Sequence, residues 1–217
     1  MPTSRYISLF ATVLLTLSTS TVFGGEKAFT STGEIVILNS DGTWQYENQS
    51  RTSQAHKSIK TNAKKFKKPA SASFPVRSKV NSLGLWMNPA DWGFTQKGAI
   101  NAEAEYELKH KKLEIYAMAI TESIEVNLDN LAQLALENFE KVGTNVKVIN
   151  KEYRIVNGQK VIFMEMSGVV NGIKATYMGY YHSNSKGASQ LLAFTGTALA
   201  GKYKPEIIKL LNGLVVL

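Results

Sequence analysis

The chain has 217 residues, with 25 Lys and Arg against 17 Asp and Glu, a net charge of +8, and no cysteine. That length allows one or two domains with a sizeable core. The lack of cysteine excludes a disulfide framework, a thiol nucleophile, Cys-based zinc ligation and a lipid-modified cysteine behind a leader.

Residues 1–24 read as a secretory signal peptide: Arg5 precedes an apolar run from Tyr6 to Leu17, and Val22-Phe23-Gly24 supplies a small-residue cleavage site. The run is short for a membrane span, and no later segment approaches about 18 apolar residues, so an exported, periplasmic or extracellular chain without a transmembrane segment is expected. Residues 25–48 read as a β-hairpin, in which Glu34 to Leu38 and Thr43 to Tyr46 flank the turn Asn39-Ser40-Asp41-Gly42. So small a unit must dock to be stable, on the main domain or on an external ligand, and Trp44 and Tyr46 are its candidate docking residues. The turn lacks the alternating carboxylates and closing glutamate of a calcium loop.

The positive charge is concentrated. Nine basic residues and no Asp or Glu fall between Arg51 and Lys79, and removing nine from +8 leaves the remainder of the chain at −1. Rich in Ser, Thr, Ala and Asn and poor in aliphatics, residues 49–79 read as a basic disordered linker. Such a segment is either a solvated, self-repelling spacer or a contact for anionic lipid headgroups, a polyanionic wall polymer or nucleic acid.

A second unit is expected over 80–217. Gly84 to Met87 and Trp92 to Phe94 are short strands about a turn at Asn88 to Asp91. Trp86 and Trp92 suit core packing or a sugar-stacking platform. From Ala102 to Leu108, apolar residues alternate with Glu103, Glu105 and Glu107, which places the carboxylates on the wet side of a strand or, less simply, round a cation. Leu113 to Ile120 is a more uniformly apolar strand. Asn127 caps a helix with an apolar stripe at Leu128, Leu131, Ala132, Ala135, Phe139 and Val142, ended by Gly143.

Three extended runs between Val146 and His182 are joined by Asn157-Gly158 and Asn171-Gly172, pairs that accept the φ > 0 of two-residue type I′ turns. These turns fix the register, with Val156 opposite Gln159 and Val170 opposite Ile173. One face then carries Ile149, Tyr153, Ile162, Met164, Met166, Val170, Ile173, Ala175, Tyr177 and Tyr181 and is expected to meet the core. The other is mixed: Arg154, Val161 and His182 form one row, Glu152, Phe163 and Tyr180 the next, and Asn150, Glu165 and Met178 a third. Gln190 to Thr195 adds a strand, and Pro205 opens a closing helix with Ile207, Ile208, Leu210 and Leu211 buried. The pattern gives an α+β fold, an antiparallel sheet with helices packed on it, plus the small N-terminal hairpin.

The segments Tyr116 to Glu122, Leu134 to Asn138, Tyr153 to Gly158, Tyr177 to Tyr181 and Leu210 to Leu214 together resemble an uncharacterised bacterial secreted module, and their order of elements is similar to the PsbP-like α/β/α sandwich. The Asp41-Gly42-Thr43-Trp44 hairpin resembles a motif of envelope proteins. These resemblances imply a binding or assembly scaffold and carry no catalytic residues or cofactor.

None of the usual nucleophile, phosphate-loop, dinucleotide or His-Glu-x-x-His motifs is present. His56 falls in the linker and His110 in a turn, both expected to be solvated. The expected function is thus an exported, non-catalytic binding or assembly module at the bacterial envelope. Glu152, Arg154, Phe163, Glu165, Met178, Tyr180 and His182 form its candidate ligand or partner surface, unless the closing helix covers them as a second core layer. The alternatives are a small hydrolase using Glu152, Glu165 and His182, and an assembly factor that pairs through an exposed strand edge. Expected partners are an envelope protein or an anionic polymer or lipid; no nucleic acid, metal or cofactor is expected.

Overall fold

The two Asn-Gly pairs set the geometry of the sheet. Asn157 and Gly158 have φ of 50° and 87°, and Asn171 and Gly172 of 49° and 80°, the left-handed values that these residue types tolerate best. In a computed structural model, which describes residues 26–30, 35–46, 59–96 and 101–217, the turns join β10 (Thr144–Val156), β11 (Gln159–Val170) and β12 (Ile173–Asn184) into a long meander. Val156 faces Gln159 and Val170 faces Ile173, as the turns require. The signal-peptide segment, residues 49–58 and His56 lie outside the described residues.

The meander is the centre of an eight-stranded sheet, ordered β4-β10-β11-β12-β13-β9-β8-β7. Here β13 is Gly187–Gly196, β9 Tyr116–Glu122, β8 Ala104–His110 and β7 Trp92–Gln96. The edge strand β4, Lys60–Phe66, pairs parallel to β10, so the sheet is mixed and not purely antiparallel as expected. A second sheet, ordered β14-β6-β5, contains β5 (Phe74–Arg77), β6 (Leu83–Met87) and β14 (Leu214–Val216). The segment read from composition as a linker to residue 79 therefore holds two strands from residue 60 onward. Lysines suit an exposed edge, where side chains remain in water and one row of backbone groups is already paired.

Helix α1 (Leu128–Val142) begins as expected: the Asn127 side chain accepts hydrogen bonds from the backbone N–H of Asp129 and Asn130, and Gly143 N–H donates to Phe139 O. Its stripe of Leu131, Ala132, Ala135 and Phe139 packs with Ile162, Met164, Met166 and Tyr181 on one sheet face. Helix α2 runs from Thr197 to Leu211, eight residues earlier than Pro205, which lies inside the helix. Lacking an N–H, Pro205 costs α2 one internal bond, to Gly201 O, but burial of Ala200, Ile207, Leu210 and Leu211 holds the helix against the other face. Both faces are thus covered, one by α1 and the other by α2 with the second sheet.

Two residues assigned to the core face are not in it. The register shifts between Val148 and Asn150, leaving Ile149 in a bulge and 56% exposed, and Ile173, beside its turn, is 66% exposed. His110, expected to be solvated, is buried: its Nδ1 accepts from the backbone N–H of Lys112 and Leu113, and its ring packs edge-on against Trp92.

The N-terminal hairpin gains a strand, giving a three-stranded sheet of β1 (Glu26–Phe29), β2 (Ile35–Leu38) and β3 (Trp44–Tyr46). Asp41 accepts from Thr43 N–H and Oγ1 and shapes its turn. Trp44 and Tyr46, the candidate docking residues, pack edge-to-face on each other and stay 57% and 52% exposed; among the described residues Lys27 Nζ of β1 meets Glu137 Oε2 of α1 at 2.6 Å.

Candidate functional site

The mixed face has the expected rows, since Glu152 pairs with Phe163 and Phe163 with Tyr180, while Asn150 pairs with Glu165 and Glu165 with Met178. It is not a surface. Phe163, Met178 and Tyr180 are fully buried in the core beneath α2, and Arg154, Glu165 and His182 are nearly so. The proposed contact surface is corrected to a second core layer. The physical reason is the early start of α2, which lets it reach across β12 and β13, together with the second sheet that caps what the helix leaves.

The charges on this face are consumed internally. Arg154 lies in an aromatic slot, its guanidinium 3.7 Å from the Phe163 ring centre and 4.7 Å from that of Phe66. Its Nε donates to Glu152 Oε1 at 2.6 Å and its Nη1 to the Tyr180 hydroxyl at 3.2 Å, and that hydroxyl donates to Asn212 Oδ1 at 2.8 Å. Glu152 also accepts from Asn62 Nδ2 of β4 at 3.0 Å. Burial pushes the Glu152 carboxyl up, but the hydrogen bonds from Asn62 and Arg154, with the charges of Arg154 and Lys204, outweigh it and hold the group below its usual range. This network joins β4, β10, β12 and the end of α2.

Glu152, Glu165 and His182 do not converge as a hydrolase would require. Glu165 receives Lys204 Nζ of α2 at 2.6 Å, whereas His182 Nδ1 meets Lys160 O at 3.2 Å and its Nε2 meets Asn184 Nδ2 at 3.3 Å. Because Lys160 O only accepts and the Asn184 amide nitrogen only donates, these contacts suit a neutral imidazole with its proton on Nδ1. Burial likewise lowers its pKa.

Among the described residues no three His, Asp or Glu side chains group so as to hold a metal ion. Of the carboxylate row, Glu105 accepts from Ser78 Oγ, Lys79 N–H and Thr121 Oγ1, and Glu107 from Asn101 N–H, so both tie loops to β8.

Among the described residues a basic sheet edge is exposed. On and beside β4, Lys60, Lys64, Lys65 and Lys67 are exposed, while Phe66 points inward to Arg154. A bulge interrupts the strand: the five residues from Thr61 to Lys65 span only the three from Tyr153 to Ile155 of β10, and Asn62 Oδ1 accepts Lys64 N–H. Sequence reading found these lysines but not the strand that fixes them, because polar edge strands carry little hydrophobic periodicity.

An α/β/α sandwich of a mixed sheet between two helical layers, one helped by a small sheet, is the class of fold defined here. Its particular form is PsbP-like: the solution structure of cyanobacterial PsbP (CyanoP) from Synechocystis sp. PCC 6803 superposes with a TM-score of 0.53 at 10% identity, over 69% of this chain and 95% of that one. LpqN of Mycobacterium tuberculosis, described as involved in cell envelope biogenesis, gives a TM-score of 0.49 at 12% identity, over 66% of this chain and 89% of its own. PA94 of Pseudomonas aeruginosa, a protein of unknown function described as a putative regulator, gives 0.42 at 12% identity, over 66% of this chain and 97% of its own. No family model and no curated protein matches the sequence.

Proposed function

We propose that this chain is an exported, non-catalytic binding or assembly module of the bacterial envelope that engages an anionic lipid or polymer surface through the lysines on and beside β4. The observation that carries the reading is the placement of Lys60, Lys64, Lys65 and Lys67, exposed on one sheet edge within a stretch that has no Asp or Glu from residue 51 to 79. The apolar run from Tyr6 to Leu17 supports export. Support for a non-catalytic role comes from the candidate acid-base groups: Glu165 and His182 are buried, Glu152 is half-buried, and each is bound to partners of its own.

Strand addition at the same edge is a weaker reading. A bulge and a row of lysines are the features that keep edge strands from pairing with a further chain. The test is co-sedimentation of the mature protein with phosphatidylserine-containing vesicles, phosphatidylcholine vesicles and purified wall polymer across a salt series. Retention on the anionic surfaces that weakens as salt rises supports the reading. Equal retention on zwitterionic and anionic vesicles, or none on any surface, rejects it.

A further inference from the structure

Three Asn-Gly pairs lie in the chain, Asn157-Gly158, Asn171-Gly172 and Asn212-Gly213, each preceded by an aliphatic residue, Val156, Val170 or Leu211. The pair carries a chemistry of its own. Glycine has no side chain to shield its backbone nitrogen, so that nitrogen, on giving up its proton, can attack the side-chain carbonyl carbon of the asparagine before it. The C–N bond that forms closes a succinimide ring, and the asparagine amide nitrogen leaves as ammonia. Water then adds to either carbonyl of the ring and opens it to aspartate or isoaspartate. The net change is water in and ammonia out, with no oxidant, reductant or cofactor.

The attack requires the asparagine side chain to swing towards the nitrogen that follows it, and what it must first release differs among the three. Asn157 Nδ2 donates to Asn212 O at 2.8 Å and to Leu214 O at 2.7 Å, and its Oδ1 accepts Lys68 N–H at 2.8 Å. Asn212 Oδ1 accepts the Tyr180 hydroxyl at 2.8 Å, and the Gly213 N–H, on the nitrogen that would attack, donates to Leu210 O at 2.9 Å. Asn171 has neither restraint. It and Gly172 are exposed, and its amide makes no hydrogen bond among the described residues. No atom stands within 4 Å of the place a Cβ would take on Gly172, whereas that place on Gly213 is 1.9 Å from Trp86 O. We infer that Asn171 is a site of spontaneous deamidation, and that tertiary hydrogen bonds withhold the same reaction from Asn157 and Asn212. Aspartate at this position keeps the two-residue turn and adds a negative charge near Lys174. Isoaspartate also adds a main-chain carbon between Val170 and Ile173, the pair that closes the turn.

This chemistry is independent of the role proposed for the basic edge. The experiment is incubation of the mature protein at mildly alkaline pH, folded and in parallel in urea. Peptide mapping by mass spectrometry follows the gain in mass as NH2 becomes OH, and an isoaspartyl methyltransferase assay marks the isoaspartate product. In the folded protein Asn171 is expected to be lost first, with Asn157 and Asn212 about tenfold slower or more, the fold-change that corresponds to giving up two or three hydrogen bonds. In urea the three should react at similar rates, because the residues around them are alike. The proposal is overturned if Asn157 or Asn212 is lost as fast as Asn171 in the folded protein, or if folding preserves Asn171 as well. It is also overturned if the same order persists in urea, since local sequence and not the fold would then set it.

Discussion

Tyr180 and Tyr181 are neighbours on β12, both fully buried, yet their hydroxyls have opposite circumstances. Tyr180 points under α2, where its hydroxyl accepts from Arg154 and donates to Asn212. Tyr181 points under α1 among Ile162, Met164 and Met166, and its hydroxyl has no hydrogen-bond partner among the described residues. A buried hydroxyl without a partner costs about 1–3 kcal/mol, whereas loss of one that is bonded to a charged group costs about the same in the other direction. Tyr181→Phe should therefore stabilise the protein by about 1 kcal/mol, and Tyr180→Phe should destabilise it by about 1–2 kcal/mol. For a protein of this size, 1 kcal/mol corresponds to a shift in Tm of about 2–4 °C. Urea unfolding followed by circular dichroism would show the midpoints moving apart at constant slope. If Tyr181→Phe lowers the midpoint, or if both variants move it the same way, the division of the sheet into a dry α1 face and a hydrogen-bonded α2 face is wrong.

Two further predictions test the same architecture. His182 is buried and its imidazole is held below its ordinary value of 6.5, so the unfolded chain takes up a proton more readily than the folded one. Its contribution to stability is complete above about pH 6.5 and is lost as pH falls below that value, and His182→Gln should flatten the fall in urea midpoint between about pH 7 and about pH 5. An unchanged slope would mean that other groups carry the acid sensitivity. At Gly213 an added Cβ would lie 1.9 Å from Trp86 O and 2.9 Å from Leu210 O. Because both obstacles are backbone, Gly213→Ala should separate the end of α2 from β6 and lower the unfolding midpoint by the equivalent of at least about 2 kcal/mol, whereas Gly201→Ala, which meets nothing within 4 Å, should be neutral or slightly stabilising.

The parts of the fold legible in the sequence are those set by local chemistry. Asn157-Gly158 and Asn171-Gly172 can hardly do other than turn, and from them the cross-strand rows follow by counting until the bulge at Ile149 breaks the count. Asn127 and the stripe after it likewise define α1 from neighbouring residues alone. What was hidden depends on distant partners. Nothing local marks Lys60–Phe66 as a strand, since its pairing comes from β10, about ninety residues on, with Asn62 meeting Glu152 and Phe66 meeting Arg154. Pro205 gave a false start for α2 because proline favours a first turn, but tertiary burial of Ala200 and Ile207 on either side overrides that preference. The mixed face shows the same effect: alternation sorts side chains into two sets, but whether the second set meets water or another layer is decided by α2 and by β5, β6 and β14.

The proposed role for the basic edge rests on lysines held by a folded strand, and the most direct measurement is the partition of a variant with Lys60, Lys64, Lys65 and Lys67 all changed to Gln onto phosphatidylserine vesicles at physiological salt. With each lysine near an anionic surface contributing on the order of tenfold, attenuated by screening, the four together should lower partition by roughly a hundredfold to a thousandfold while the unfolding midpoint stays near that of the wild type. Undiminished partition by a folded quadruple variant would contradict the account.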